Sequence, residues 1–292
     1  MESRHIHVNS DSFFGGVGLR PTHYPHLLSQ GAGRVQWFEV ISENYMDSFG
    51  RPREILKKIR QDHPIALHGV SMSLGSPEGL NLTHLQRLKQ LIHEVDPFIV
   101  SDHLCWSKWG AHYSHDLLPV EYTRESLQGL IGNIQQAQEF LGRQILIENV
   151  SAYVQSTRAE FTEWDFLVQV ARKSGCKILL DVNNVYVNAV NFGFDPMEYL
   201  RSIPPELVGQ IHLAGFTDMG DYLFDTHSKA VHDNVWKLFT KTSSRLQQVP
   251  VLIEWDDDIP DFHFLEQELH KAEIIWNRTH NLQGVYEESN LL

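Results

Sequence analysis

Short apolar runs recur along the chain, and each leads into a side chain that can bind a metal or carry a proton. Six runs share this form, at residues 65–68, 98–103, 144–150, 178–181, 210–212 and 251–254. Apolar runs of this length are typical of strands buried on both faces, which belong to parallel sheets. The pattern therefore predicts a parallel sheet whose polar groups collect at one edge.

Segments with helical spacing alternate with these runs. In residues 53–61, for example, Ile55, Leu56 and Ile59 fall on one face. The other predicted helices span residues 82–95, 124–141, 162–174, 231–246 and 262–277, with a short one beginning at 195–196. Two further strands are expected at residues 14–19 and 35–41. Parallel strands that end in such polar groups, with helical segments between them, predict an α/β fold, a single (β/α)8 TIM barrel with long βα loops at its C-terminal face.

Three connections are expected to be irregular. Residues 104–120 form a long aromatic excursion, which we expect to fold as a flap near the site. Residues 182–194 are rich in Asn and are predicted to be a shaped loop, because Asn favours turns. Residues 214–229 form another long loop, which contains Asp225 and His227.

Length and composition fit this architecture. The 292 residues suit one barrel of roughly 250 residues, at about 14–277, with a loosely held tail at 278–292. The formal net charge of −13 argues against a nucleic-acid partner. Residues 1–11 lack the layout of a signal peptide, and no apolar run approaches the roughly 18 residues of a membrane span. Cys105 and Cys176 provide no disulfide framework, so we expect a soluble cytoplasmic protein.

The polar groups after the apolar runs resemble a metal-ligand set. The candidates are His68, His103, Glu148, Asp181, Asn184, His212, Asp225, His227 and Glu254. Nitrogen and oxygen donors without thiolates suit iron, manganese or zinc. Asp225 and His227 are two residues apart, so in an extended segment they face the same way. Asn184 follows Asp181 by three residues and offers a neutral oxygen.

Several carboxylates at one barrel mouth would repel each other unless cations lie between them. A carboxylate such as Glu148 can bridge two ions about 3.5–4 Å apart, so the sequence favours more than one metal. Asp256 lies two residues after Glu254 and is predicted to be a polar catalytic group together with Glu148. Glu39, Glu43 and Asn44 are as well placed to support ligands as to be ligands.

Taken together, the motifs resemble the multinuclear iron oxygenase family that includes MbnB and TglH. The motifs are GVGLR at 16–20, SENY at 42–45, LHGVS at 67–71, SDHL at 101–104, HDLLP at 115–119, IENV at 147–150, LDVNN at 180–184, IHLAG at 211–215 and DTH at 225–227. The resemblance extends from Phe14 to Trp276. It implies a TIM barrel that holds two or three irons as Fe2+ or Fe3+, with zinc or manganese as substitutes.

The resemblance also implies roles for individual residues. His68, His103 and Glu148 would hold one ion, and Asn184, Asp225 and His227 another. The remaining ion would lie among Glu148, Asp181, His212 and Glu254. Family members use O2 to modify cysteine residues of a ribosomal peptide, usually with a small partner protein that presents the peptide.

Three alternatives stay open at the level of sequence. A trinuclear zinc hydrolase resembling endonuclease IV would use nearly the same ligand ladder, but it would place His where Asn184 stands. A sugar isomerase-like barrel would want a Lys at a strand end, and no predicted strand ends in Lys. A metal-binding protein without turnover would have a closed and saturated site.

Overall fold

The structure is a computed structural model that describes the backbone of residues 12–109 and 112–289. Side chains are described for these residues except 109, 113, 115 and 281–289. The expectation for residues 1–11 lies outside the described residues.

Eight parallel strands close into a barrel, which confirms the predicted (β/α)8 fold. In chain order the barrel strands are β1 (Gly15–Gly18), β2 (Trp37–Ile41), β3 (Ile65–His68), β4 (Ile99–His103), β7 (Leu146–Glu148), β8 (Lys177–Asp181), β9 (Val208–Leu213) and β12 (Val251–Ile253). Each strand pairs with the next one around the barrel, and β1 closes the ring by pairing with both β2 and β12.

Helices follow the strands and cover the outside of the barrel. They are α1 (Tyr24–Gln30), α2 (Glu43–Met46), α3 (Arg51–Asp62), α4 (Leu82–Val95), α5 (Arg124–Leu141), α6 (Glu163–Ser174), α7 (Val182–Phe192), α8 (Pro196–Ser202), α9 (Asp233–Ser243) and α10 (Phe262–Ser289). Short 3-10 turns lie at Pro21–His23 and Pro205–Leu207. The main hydrophobic core lies between the helices and the outer face of the barrel.

Two small hairpins project from the C-terminal ends of the strands. The expected flap is an antiparallel pair of β5 (Cys105–Trp109) and β6 (His112–Pro119). Trp106 donates from Nε1 to the Pro119 carbonyl at 3.2 Å and packs against the core. The loop after β9 contains the short pair β10 (Thr217–Asp218) and β11 (Leu223–Phe224).

The barrel interior is filled at its N-terminal end by a separate apolar layer. Its members are the buried side chains Trp37, Ala66, Ile99, Leu146, Leu179 and Leu252, with Phe14 and Phe98 packed against them. Gly16 makes room for this layer, because a Cβ atom there would overlap the Trp37 ring. The large indole therefore accounts for the glycine at position 16 of the first strand.

The prediction of a shaped loop at residues 182–194 is wrong, because residues 182–192 form helix α7. Asp181 caps this helix by accepting a hydrogen bond from the Asn184 backbone N–H. Asn183, Asn184 and Asn188 are buried, and their amides bond to neighbouring segments. Hydrogen bonds to distant segments thus satisfy the side-chain amides of these asparagines, although a segment rich in Asn had been expected to form a turn.

The closing helix also differs from its expected extent. Helix α10 continues to Ser289, past residue 277, where the helix was expected to end. His280 stacks on Trp276 with ring centroids 4.3 Å apart and lies 2.9 Å from the Leu246 carbonyl oxygen. These contacts tie the helix to the barrel beyond residue 277. Within the described residues, no helix combines the length and apolar character that crossing a bilayer requires.

Candidate metal centre

The two-residue period of the strands places the candidate ligands inside the barrel. Ala66, Leu146 and Leu252 belong to the apolar interior layer. Each is followed two positions later by a candidate ligand, namely His68, Glu148 or Glu254. Since side chains two apart on a strand share a face, the ligands lie directly above the layer. The candidate ligands therefore form a polar layer on top of the apolar layer, at the C-terminal end of the barrel strands.

Glu148 is the centre of the cluster. One carboxylate oxygen, Oε2, lies 3.2 Å from His68 Nε2 and 3.4 Å from His103 Nε2. The other, Oε1, lies 3.6 Å from His212 Nδ1. All three imidazoles and the carboxylate are buried. A single carboxylate therefore faces two separate groups of donors.

The donors form three overlapping groups in which ligand atoms lie within 4.8 Å of one another. The groups are His68, His103 and Glu148; then Glu148, Asp181, His212 and Glu254; and then His227, Glu254 and Asp256. Glu148 belongs to the first two groups and Glu254 to the last two. Shared carboxylates of this kind are suited to bridging neighbouring ions.

The third group differs in part from the one that the resemblance implied. His227 Nδ1 lies 3.2 Å from Glu254 Oε2 and 3.5 Å from Asp256 Oδ2. On the opposite side of the ring, Nε2 lies 2.7 Å from Asp225 Oδ1 and 4.0 Å from Asp181 Oδ2. The expected pair of Asp225 and His227 is therefore adjacent, but the ring also faces Asp256.

Three buried ligand atoms have no hydrogen-bond partner among the described residues, which tests whether metal ions fit here. They are Glu148 Oε2, Asp181 Oδ2 and Asn184 Oδ1. Leaving such atoms unpaired in a dry interior costs about 1–3 kcal/mol each, and more for charged groups. Cations would satisfy all three atoms at once, so the residues fit a metal cluster.

Neighbouring side chains orient the imidazoles. His68 Nδ1 lies 2.8 Å from the Ser101 hydroxyl, and His103 Nδ1 lies 3.0 Å from the Gly69 carbonyl oxygen. A carbonyl oxygen only accepts, so His103 carries its proton on Nδ1 and keeps the Nε2 lone pair free. Both rings therefore present Nε2 to Glu148.

His212 is oriented the other way round. Its Nε2 lies 3.1 Å from Glu39 Oε1, while Nδ1 faces Glu254 at 2.9 Å. Gln210 donates from Nε2 to Glu39 Oε2 at 2.6 Å and so holds this carboxylate in place. A proton on the Glu39 side leaves the Nδ1 lone pair of His212 for a metal.

Burial and mutual repulsion shift the acids of the cluster. Burial raises the pKa of Glu148 to about 7 and raises the pKa of Asp181 well above its usual range. Burial opposes ionisation of Glu254 as well, but the adjacent His212 and His227 outweigh it and hold the Glu254 pKa well below its ordinary value. Raised pKa values of this kind arise where acids crowd one buried space, and bound cations would stabilise the carboxylates and displace the protons.

The imidazoles divide into two types. Burial lowers the pKa of His68 and of His103, which keeps both rings neutral and able to bind metal. Burial also opposes protonation of His212 and His227, but the neighbouring carboxylates outweigh it and raise both pKa values well above the ordinary range. Metal ions would take the place of those protons.

Asp256 lies at the rim of the cluster and is 40% exposed. Arg20 forms an ion pair with its Oδ1 and also donates from Nε to the Trp255 carbonyl at 3.1 Å. The other carboxylate oxygen points to His227. The structure thus places Asp256 beside a candidate ligand, and its catalytic role stays a prediction.

Sequence reasoning assigned no role to several residues that support the cluster. Ser101 and Gln210 each precede a candidate ligand by two positions, which was the available signal. Asn149 exchanges two hydrogen bonds with the backbone of Asp181, at 2.9 and 3.0 Å. Asn183 donates to Asp225 at 2.8 Å. Cys105 belongs to none of the donor groups found among the described residues, and burial raises the pKa of its thiol well above the usual range.

The cluster forms the base of a cavity of about 420 Å³, which we call the metal pocket. Its walls come from β6, from the segment after β7 and from β11, and include Leu117, Leu118, Val150 and Phe224. Because these walls are mostly apolar and the base is polar, the pocket suits a ligand that presents one reactive group to the metals.

Comparison with known proteins places this arrangement in a family context. A family model described as RiPP precursor modification enzyme MbnB/TglH/ChrH matches residues 14–277. A UPF0276 protein from Anaeromyxobacter sp. (strain Fw109-5) is 49% identical over 257 residues, which cover 88% of this chain and 90% of the relative. A UPF0276 protein from Caulobacter vibrioides is 47% identical over 261 residues, covering 89% and 93%.

Solved structures share the fold at much lower sequence identity. A D-tagatose 3-epimerase-like protein superposes with a TM-score of 0.62 at 15% identity, covering 91% of this chain and 99% of that one. Endonuclease IV from Thermus thermophilus superposes with a TM-score of 0.55 at 12% identity, covering 88% and 97%. At these identities the likeness shows the barrel fold alone.

Proposed function

Because the chain belongs to the MbnB/TglH/ChrH family of RiPP precursor modification enzymes, we propose that it is a multinuclear non-haem iron oxygenase. Its substrate in this proposal is a ribosomal peptide whose cysteine residues it modifies oxidatively. The family is one of metal-dependent, peptide-modifying enzymes, and that coarser description applies to this chain directly. The use of iron and O2 and the modification of cysteine are the finer parts of the proposal.

One observation carries the proposal, namely the three donor groups that share Glu148 and Glu254. Glu148 faces the two groups with different oxygens, and Glu254 faces His212 and His227 with Oε2. Carboxylates placed in this way would be suited to holding two neighbouring ions. Nitrogen and oxygen donors without cysteine suit iron, with zinc or manganese as substitutes. His68 and His103 would hold one ion with Glu148, and Asp181 and His212 would hold the central one. His227, with Asp225, Asp256 or Asn184, would hold the third.

Bound iron would supply redox chemistry with O2, and the protein would supply placement and a dry site. Leu117, Leu118 and Val150 line the metal pocket and limit water near the cluster. Ser101, Gly69 and Glu39 fix the directions of three imidazoles, as described above. Asp256, held by Arg20, is the group best placed to take or give a proton at the pocket rim.

A peptide substrate and a presenting partner protein are further parts of the proposal. The pocket rim supports both, since Tyr153, Val154 and Phe224 line it and are exposed by 43%, 73% and 41%. Exposed apolar groups beside a pocket are typical of surfaces that bind another chain. Co-purification with a small protein that also binds the peptide would test this part.

The central test is metal content and reactivity. Protein purified without oxygen from iron-grown cells should contain about two to three irons per chain, as bridging carboxylates imply. It should consume O2 when given a cysteine-containing precursor peptide. Glu148→Ala should lose most of the iron, because two donor groups share this carboxylate. Elemental analysis and an oxygen electrode measure both quantities.

Glu94→Ala is the matched control, because Glu94 forms ion pairs with Arg53 and Lys57 on the surface. It should retain its iron. At most one zinc per chain, with no iron after anaerobic purification, would contradict the proposal. Full iron without O2 consumption would favour a metal-binding protein without turnover.

A further inference from the structure

A second cavity of about 510 Å³ lies beside the metal pocket, and we call it the side cavity. Pro119, Ala152 and Val154 line both cavities and form the ridge between them. A peptide with one residue in the metal pocket therefore has a continuous path across this ridge into the side cavity. The proposed function does not otherwise use this space.

The walls of the side cavity are aromatic. They are formed by the half-buried rings of Tyr122, Phe161, Trp164, Phe192 and Phe194. Trp164 and Phe194 pack with ring centroids 5.4 Å apart at an interplanar angle of 56°. Aromatic faces carry a negative quadrupole and attract cations, most strongly at Trp. The walls thus favour an organic cation over a neutral polar group.

Two carboxylates line the side cavity, and they differ in their partners. Glu121 accepts hydrogen bonds from Arg158 and from the Ser156 hydroxyl, so its charge is already paired. Glu163 accepts from the Tyr199 hydroxyl at 2.9 Å and from Asn188 Nδ2 at 3.0 Å. Throughout the described part of the chain, no Lys or Arg forms an ion pair with Glu163 or lines this cavity.

Glu163 is therefore an acid without a counter-ion in an aromatic chamber. Burial raises its pKa to about 7, although the hydrogen bonds from Tyr199 and Asn188 act in the opposite direction. A carboxylate in such surroundings is stabilised when a cation reaches it, because the interaction is poorly screened there.

We propose that the side cavity binds the lysine or arginine side chain of a residue near the modified cysteine in the peptide substrate. The cation lies against Trp164 and Phe194 and pairs with the Glu163 carboxylate. This inference rests on the proposed function for the identity of the peptide, but the recognition of a cation by this cavity is a separate property.

Glu163→Gln isolates the charge. Asn188 accepts from the Ala152 N–H at 2.8 Å and donates to the Val150 carbonyl at 3.0 Å, so its orientation is fixed. Glutamine can turn its oxygen to Asn188 Nδ2 and its NH2 group to the Tyr199 hydroxyl, which can accept. Both hydrogen bonds survive, and only the negative charge is removed.

Calorimetric titration of the full metal-loaded chain would test the proposal with three probes. These are N-acetyl-arginine amide, N-acetyl-lysine amide and the neutral N-acetyl-citrulline amide. We expect the two cations to bind about tenfold more tightly than citrulline, as is typical of a charge-assisted contact. Glu163→Gln should abolish that preference. Equal binding of all three probes to the unaltered chain overturns the proposal, as does a preference that survives in Glu163→Gln.

Two further variants separate this pairing from a general effect of charge or folding. Glu121→Gln should change the preference for cations less than about twofold, because Arg158 already pairs with Glu121. Trp164→Leu should weaken both cations by about two- to fivefold through loss of the ring. A larger effect of Glu121→Gln than of Glu163→Gln would contradict the assignment of the site.

The result is distinguishable from failure of the proposed function. The iron content of Glu163→Gln reports on the metal centre and should match that of the unaltered chain. Loss of cation binding with intact iron argues for the side-cavity assignment alone. Cation binding without O2 consumption would support the side-cavity assignment and contradict the oxygenase proposal.

Discussion

A single hydrogen-bonding partner decides which nitrogen of His68, His103 and His212 faces Glu148. Glu39 illustrates this, since it holds the Nε2 side of His212 and leaves Nδ1 directed at Glu148 and Glu254. Gln210 restrains Glu39 in turn. Partners of this kind fix the tautomer and ring orientation of a ligand and raise its basicity. The orientation of the candidate ligands therefore depends on residues outside the three donor groups.

Glu39→Gln should weaken metal binding by roughly 10- to 100-fold. Its single remaining carbonyl oxygen cannot accept from both His212 and Gln210 with the strength of a carboxylate. Competition with a chromophoric chelator measures the affinity. Glu94→Gln on the surface should leave it unchanged, and an equal effect of both substitutions would show that general charge rather than ring orientation is responsible.

Glu163 gives the stability of the protein a particular dependence on pH. Its folded pKa of about 7 exceeds its ordinary value of 4.5, so the folded state binds the extra proton between these values. Stability from this group is therefore present at low pH and is lost as pH rises through 7. The loss between about pH 5.5 and 8 is at most about 2 kcal/mol.

In Glu163→Gln this contribution disappears. The free energy of unfolding, measured by urea titration at both pH values, should fall less for the variant than for the unaltered chain. Above pH 7 the variant should be at least as stable. A parallel pH dependence in the two proteins would mean that Glu163 keeps an ordinary pKa.

At the scale of elements, helix α7 joins the metal centre to the side cavity. Its first turn is capped by Asp181, and Asn188 further along bonds to the segment after β7 and to Glu163. The helix therefore sets the distance between a candidate ligand and the proposed cation site.

Asn188→Ala should destabilise the fold by about 3 kcal/mol, since it leaves several buried groups without partners. Asn191→Ala in the same helix is the comparison. It removes two hydrogen bonds to Leu223 at a partly exposed position and should cost about 1 kcal/mol. Thermal or urea unfolding gives both values. Equal costs would show that the buried network around Asn188 adds nothing.

Helix α7 is also an element that could not be predicted from the sequence. Strands such as Ile65–His68 follow from a short continuous apolar run, because both faces are buried. Helices such as Leu82–Val95 follow from the helical period of one buried face. Helix α7 does not, because its buried asparagines are satisfied by Asn149, Val150 and Asp225, which are distant in sequence. The turn propensity of Asn predicted a loop here, but long-range hydrogen bonds stabilise a helix instead.

The candidate site shows the same division. Ligands at strand ends were predictable, because a parallel barrel brings those ends together. The proximity of Asp256 to His227 was not, because it depends on the path of the loop after β11 and on Arg20 from the segment after β1. His227 itself has a φ of 44°, a left-handed conformation that its sequence does not announce.

For the molecule as a whole, the cluster links strands that are far apart in sequence. Candidate ligands leave β3, β4, β7, β8, β9 and the segment after β12, so bound ions would tie most of the barrel together. Anything that binds only the folded state stabilises it by mass action. Metal binding should therefore be visible in global unfolding.

Chelation should lower the melting temperature of the metal-loaded chain by several degrees, in line with the loss of a few kcal/mol in a domain of this size. Calorimetry before and after dialysis against a chelator measures the shift. Glu148→Ala should melt at the same temperature with or without the chelator. A shift of equal size in that variant would place the stabilising ions outside the cluster.

The apolar layer that includes Trp37, Leu146 and Leu252 also determines how ligands can reach the cluster. It seals the barrel below the cluster, so the mouth serves as both entrance and exit. A peptide bound across that mouth would also block the route by which small molecules reach the cluster. The architecture would then impose an order in which small molecules and peptide bind and are released.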